Sequence, residues 1–105
     1  MNKRLEMLEK LIASGSKDPF HHYARALELR SVGQSEAALS ALEGITREFS
    51  EYVPSYLIAA QLCVEAGDPA RARGFCDQGL LAARRAHNDH AHAELKELLA
   101  SLPAS

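Results

Sequence analysis

At 105 residues the chain is one domain long, able to bury roughly two-thirds of its unfolded surface without help from a disulfide or a metal. Its formal net charge of -2 lacks the basic surplus of a nucleic-acid footprint, which excludes that class of partner from the expectation. Leucine and alanine dominate the 47% hydrophobic fraction while β-branched residues are sparse, so helix is favoured over sheet.

The first expected helix covers residues 2–14, with Leu5, Leu8, Leu11 and Ile12 on one stripe at helical spacing. Glu6, Glu9 and Lys10 interrupt its apolar run, so it does not read as a signal peptide. Ser14-Gly15-Ser16 ends it, and Asp18-Pro19 opens a second helix to about residue 32, aspartate capping and proline preset at the first helical position. A third spans about 35–48, carrying Ala38, Leu39, Leu42, Ile45 and then Phe49 along one side. Pro54 opens a fourth that is apolar almost all round in "YLIAAQLCV", the signature of a helix buried on more than one side. Asp68-Pro69 repeats the cap-plus-proline device and opens a fifth helix to about residue 85. Asn88 or Asp89 caps the last, 89–102, with Ala91, Leu95, Leu98 and Leu102 on its apolar side and Pro103 closing it.

No window approaches the roughly 18 apolar residues of a membrane span. Cys63 and Cys76 lie in apolar stretches with nothing basic flanking them closely enough to activate a thiolate, so they read as free, reduced core residues. The expectation is a cytoplasmic, all-α chain with no membrane contact.

Gly33 and Gly67 are 34 residues apart, and so are Ala38 and Ala72. Shifting the chain by 34 also pairs Ala26 with Ala60, Leu29 with Cys63, Leu42 with Cys76, His22 with Tyr56 and Ile45 with Gly79. The small pairs let two helices of a hairpin approach closely, and glycine supplies a turn conformation that other residues resist. This pattern resembles the tetratricopeptide repeat, a 34-residue helix–turn–helix unit with small residues at its eighth and twentieth positions and glycine near the turn. Two units match, residues 19–52 and 53–86. The resemblance implies an α-solenoid of antiparallel hairpins, about six helices in a single domain over residues 1–105. Counting back 34 from Leu42 and Ile45 reaches Leu8 and Leu11, so the first helix reads as the second half of a truncated unit. The last reads as a cap over the end of the stack that exposes Lys96 and Glu97.

Three positions depart from the family pattern. His22 stands where a bulky aromatic is usual, and Arg25 where an apolar residue is usual, either snorkelling or met by a differently placed first helix. Gly79, in place of alanine, either loosens the second hairpin or admits another helix.

Catalytic chemistry has no candidate: no serine sits on a strand-to-helix elbow, and no glycine-rich loop is present to cradle phosphate. His21 and His22 point about 100° apart on a helix and so do not act jointly. In "HNDHAH", His87, His90 and His92, with Asp89 and Glu94, straddle a helix start where polar residues are expected without a metal. Arg71, Arg73, Arg84 and Arg85 read as a solvated face. No cofactor is expected.

The resemblance places a ligand-receiving groove on the first helix of each hairpin. Carried over position by position, it comprises Phe20, Tyr23, Ala24, Leu27 and Arg30 from the first unit and Leu57, Ile58, Gln61, Val64 and Glu65 from the second. The family's subgroup that grips carboxylate tails of heat-shock chaperones uses lysine and asparagine there; Tyr23, Leu27 and Ile58 argue against that ligand. The expected role is a non-catalytic adaptor taking a protein or peptide segment in this groove. The rivals are a homodimer built on the same surface and, behind it, a metal site in the histidine-rich turn. The sequence leaves open whether the terminal helices cover the groove and make it ordinary core.

Overall fold

In the computed structural model, which describes residues 2–103, the chain runs through six α-helices and, among those residues, no strand. They are α1 (Lys3–Ala13), α2 (Pro19–Ser31), α3 (Ser35–Glu48), α4 (Pro54–Glu65), α5 (Pro69–Arg85) and α6 (Asp89–Ser101). Four starts use a side-chain cap. Asn2, Asp18, Asp68 and Asn88 accept from the amides of Leu5, Phe20, Arg71 and Ala91, satisfying donors that a helix start leaves free. Prolines 19, 54 and 69 each occupy the first helical position, where the missing N–H costs nothing.

Four of the stops, those of α1, α2, α4 and α5, share one device. After α2 the Gly33 amide donates to the Arg30 carbonyl and the Gln34 amide to that of Leu29, with Gly33 at φ +83°. After α4, Gly67 and Asp68 donate in the same way to Val64 and Cys63, with Gly67 at φ +77°. Between α5 and α6 the left-handed position falls on His87, at φ 53°, without a glycine to relieve it. His87 is thus a turn residue first.

The turns fold α2 onto α3 and α4 onto α5 as hairpins; α1 packs on α2, α3 on α4, and α6 on α5 and α4. The 34-residue register is a register of burial. Ala26 and Ala60, Ala38 and Ala72, and Leu42 and Cys76 all lose their solvent-accessible surface completely. Burying a leucine as fully as Leu42 contributes about 2–3 kcal/mol, while the alanine pairs set how closely the helices approach.

The three departures have distinct causes. The His22 ring lies 5.5 Å from that of Phe49, and its Nε2 is 3.1 Å from the Ser16 carbonyl oxygen, so it packs at the hairpin's edge. Arg25 reaches Glu9 of α1 at 3.4 Å, so the first helix meets this position with charge rather than an apolar contact. At Gly79 a Cβ would fall 2.7 Å from Tyr56 Cβ and 2.9 Å from Leu95 Cδ1. That glycine admits α6, whose Leu95 is fully buried in the notch.

The stripe of α1 is buried less than the aligned stripe of α3, and the second helix stops where Gly33 follows. Along α1 only Leu8 is buried; Leu11 is 37% exposed although its aligned partner Ile45 is 2% exposed. Ile45 belongs to a helix packed between α2 and α4, whereas α2 is the one extensive neighbour of α1 among the described residues. The second helix ends at Ser31, with Val32 as its cap.

Candidate protein-binding groove

The face shared by α2, α4 and α6 is held together at one end by a polar bridge. The Arg30 guanidinium donates to Glu65 Oε2 at 2.8 Å and to Gln61 Oε1 at 3.4 Å, tying α2 to α4. Three residues assigned to the groove from sequence are therefore brought together, with the charge of Arg30 met by Glu65.

Towards the starts of α4 and α6 the face becomes apolar. Tyr23, Leu57, Ile58 and Pro54 line a depression of about 260 Å³ whose far wall is Ala91, Glu94 and Leu95 of α6. Tyr23 is set by an edge-on contact with Tyr52, ring centroids 5.4 Å apart, and burial followed by the neighbouring Tyr52 pushes its phenol pKa up. A second depression of about 300 Å³ follows α4 and α6, lined by Leu57, Gln61, Glu94, Glu97, Leu98 and Ser101. Leu57 and Glu94 belong to both, so the two adjoin. The terminal helices leave this face open: α6 forms a wall, and Tyr23, Leu27, Leu57 and Ile58 stay half-buried.

The other assigned residues lie apart from these depressions. Leu27 is half-buried on α2 and lines neither, Phe20 is 52% exposed at the start of α2, and Val64 is 42% exposed near the end of α4. Phe20 follows Pro19, which lines a separate depression of about 400 Å³ with Phe49 and Tyr52 at the α3–α4 turn. Ala24, read from sequence as groove-lining, is buried. On α2 it lies one residue from Tyr23, about 100° round the helix, which turns it inward. Glu94, Glu97, Leu98 and Ser101 were not among the residues assigned. Their signal was the position of α6 immediately after the second hairpin, where the first helix of a further unit belongs.

Reactive groups do not gather on this face. Among the described residues no three of histidine, cysteine, aspartate and glutamate come together in a metal-holding set. His90 faces Glu94 at 3.3 Å as a pair on one helix. Cys63 and Cys76 are free and fully buried, and burial pushes both thiols up, away from the thiolate a nucleophile requires.

No family model matches the chain, and no curated protein does. Among solved structures, the solution NMR structure of a tetratricopeptide repeat domain protein from Salinibacter ruber superposes with a TM-score of 0.77 at 25% sequence identity. The match covers 80% of this chain and 85% of that one. The chain has a tetratricopeptide-like fold. Stacked-hairpin folds of this kind generally mediate protein–protein interaction, through the extended surface their stacking creates. The tetratricopeptide-like stack contains, among the described residues, no helix long and apolar enough to cross a membrane.

Proposed function

We propose that the protein is a non-catalytic, cytoplasmic adaptor that binds a protein segment on the α2–α4–α6 face, using no cofactor and neither nucleic acid nor membrane. Its units in this reading are residues 19–52 and 53–86 of a single domain, flanked by α1 and α6. The observation that carries it is an open face with two adjoining depressions in which Tyr23, Leu57 and Ile58 stay half-buried, although Ala26, Ala59, Ala60 and Cys63 of the same helices are fully buried. Half-buried apolar side chains around a depression gain further burial only from something that enters it. An extended segment or amphipathic helix placed on Tyr23, Leu27, Leu57 and Ile58 gains about 1–3 kcal/mol at each well-buried anchor. Phe20 and Val64 extend the contact at its margins, and the Arg30–Gln61–Glu65 bridge presents a polar edge that orients the segment.

The test is a pull-down from source-cell lysate with the wild type beside a Leu27→Glu/Leu57→Glu variant shown by circular dichroism to be folded. Retention of a protein by the wild type alone supports the adaptor; equal retention by both, or by neither, removes the groove from the function. Molar mass measured over a range of concentrations separates a groove occupied by a second copy, since that dimer dissociates on dilution and in the variant.

A further inference from the structure

Charge is unevenly spread along this face, and the unevenness selects a partner. At the α2 side Arg30 is already met by Glu65 at 2.8 Å. At the α6 side Glu94 and Glu97 line the second depression with Leu57 and Leu98, and among the described residues neither carboxylate is ion-paired to a lysine or arginine. The nearest cationic group to Glu94 is the His90 imidazole, 3.3 Å away and 88% exposed, which carries charge only when protonated. The α6 side of the face thus combines two apolar side chains with two carboxylates that are not directly ion-paired to a lysine or arginine, and Gln61 of the Arg30 bridge lies on its rim.

Resting on the groove reading above, we propose that the partner is a basic amphipathic helix. A lysine or arginine of that helix seats its aliphatic stem on Leu57 and Leu98 and its charged head between Glu94 and Glu97. Long basic side chains are built for such a site, with apolar carbons below and a cation at the tip. The two depressions share Leu57 and Glu94, so an apolar anchor against Tyr23 and Ile58 and a basic residue about one helical turn further along engage both together. An acidic segment meets like charge at Glu94 and Glu97, and the chain's net charge of -2 also steers cationic partners toward it.

The experiment uses the full chain and a displayed library of amphipathic helices of about 16 residues, with a fixed leucine stripe and a polar face drawn from lysine, arginine, glutamate and glutamine. Selected binders are expected to carry lysine or arginine about one turn from the anchoring leucine. Glu94→Gln/Glu97→Gln is expected to weaken them about tenfold at low salt, a difference that closes near 0.5 M salt, with the thermal midpoint unchanged. Acidic or neutral polar faces among the binders, or basic binders indifferent to the double variant, overturn the basic-partner proposal. In that case the groove reading still stands if Leu57→Gln, which removes the apolar anchor without adding charge, abolishes binding. If the library yields no binder, or binders unaffected by Leu57→Gln, the groove reading fails and this proposal with it.

Discussion

The two hairpins share a register but not a way of meeting their neighbours. The α4–α5 hairpin is enclosed by packing: Tyr56 and Ala59 are buried, and Gly79 lets Leu95 of α6 approach to a distance that no side chain would permit. The α2–α3 hairpin is closed on its outer side by charge. His22 and Arg25 stand at the positions of Tyr56 and Ala59; α1 reaches Arg25 through Glu9 and is tied further along α2 by Arg4–Glu28 at 3.2 Å and the Asn2–Glu28 hydrogen bond at 2.9 Å. Shape complementarity excludes water, whereas half-exposed ion pairs remain solvated and contribute little. One repeat pattern thus carries a close-packed, dry junction at α6 and, beside the buried Leu8, a wetter one at α1.

Substitution at Gly79 breaks the comparison most directly. Gly79→Ala gains about 1 kcal/mol of helix propensity, but its methyl meets Tyr56 Cβ, an atom that moves only with its helix, and a net loss of about 2 kcal/mol is expected by urea denaturation. Gly44→Ala in α3 meets nothing within 4 Å, so only the propensity gain remains, about 1 kcal/mol of stabilisation. Equal effects at the two sites would mean that the junction at α6 is no tighter than the rest.

The turn into α6 offers a smaller test. His87→Gly, relieving a left-handed backbone, is expected to stabilise by about 1 kcal/mol, and no gain would show that the histidine side chain compensates its own strain.

The thiols of the dry hairpin predict a pH dependence with a definite sign. Burial raises Cys63 and Cys76 in the folded state, so above the ordinary thiol pKa the unfolded chain gives up these protons first. Stability is full below that range and declines as pH climbs through the raised values. The urea midpoint should fall between about pH 7 and pH 9.5, and less so in a Cys63→Ala/Cys76→Ala variant. A midpoint independent of pH, or an identical fall in the variant, would show that these thiols are not the linked groups.

The least effect belongs to the wet junction. Arg25→Ala is expected to cost about 0.5 kcal/mol or less globally. Amide hydrogen exchange in α1 should nevertheless quicken ahead of that in α4, because α1 packs extensively on α2 only, while α4 packs on α3, α5 and α6. Uniform exchange across both helices would erase the distinction between the junctions.

Much of the fold was legible because its signals are local. Asp18-Pro19 and Asp68-Pro69 mark helix starts through hydrogen bonds within three residues, and Gly33 and Gly67 mark stops through single backbone angles. The recurring alanines were legible too, since small residues repeated at one spacing leave few other packings. Ala24 was misread, and the exposure of Leu11 went unseen, because a helical stripe says which residues share a side, not which helix lies opposite. The α6 wall escaped for a related reason. Glu94 and Glu97 look like an ordinary solvated face until α4 is placed beside them.

By itself, the sequence determined six helices, their caps and turns, and the close-packed positions Ala26, Ala38, Ala60 and Ala72, because backbone hydrogen bonding and side-chain volume act over a few residues. Only the tertiary structure decided that Gly79 admits Leu95, that Arg30 is met by Glu65, and that Leu57 opens onto two carboxylates of α6. Those facts depend on where helices far apart in the chain come to rest, and helix spacing is set by the sum of all the contacts between them.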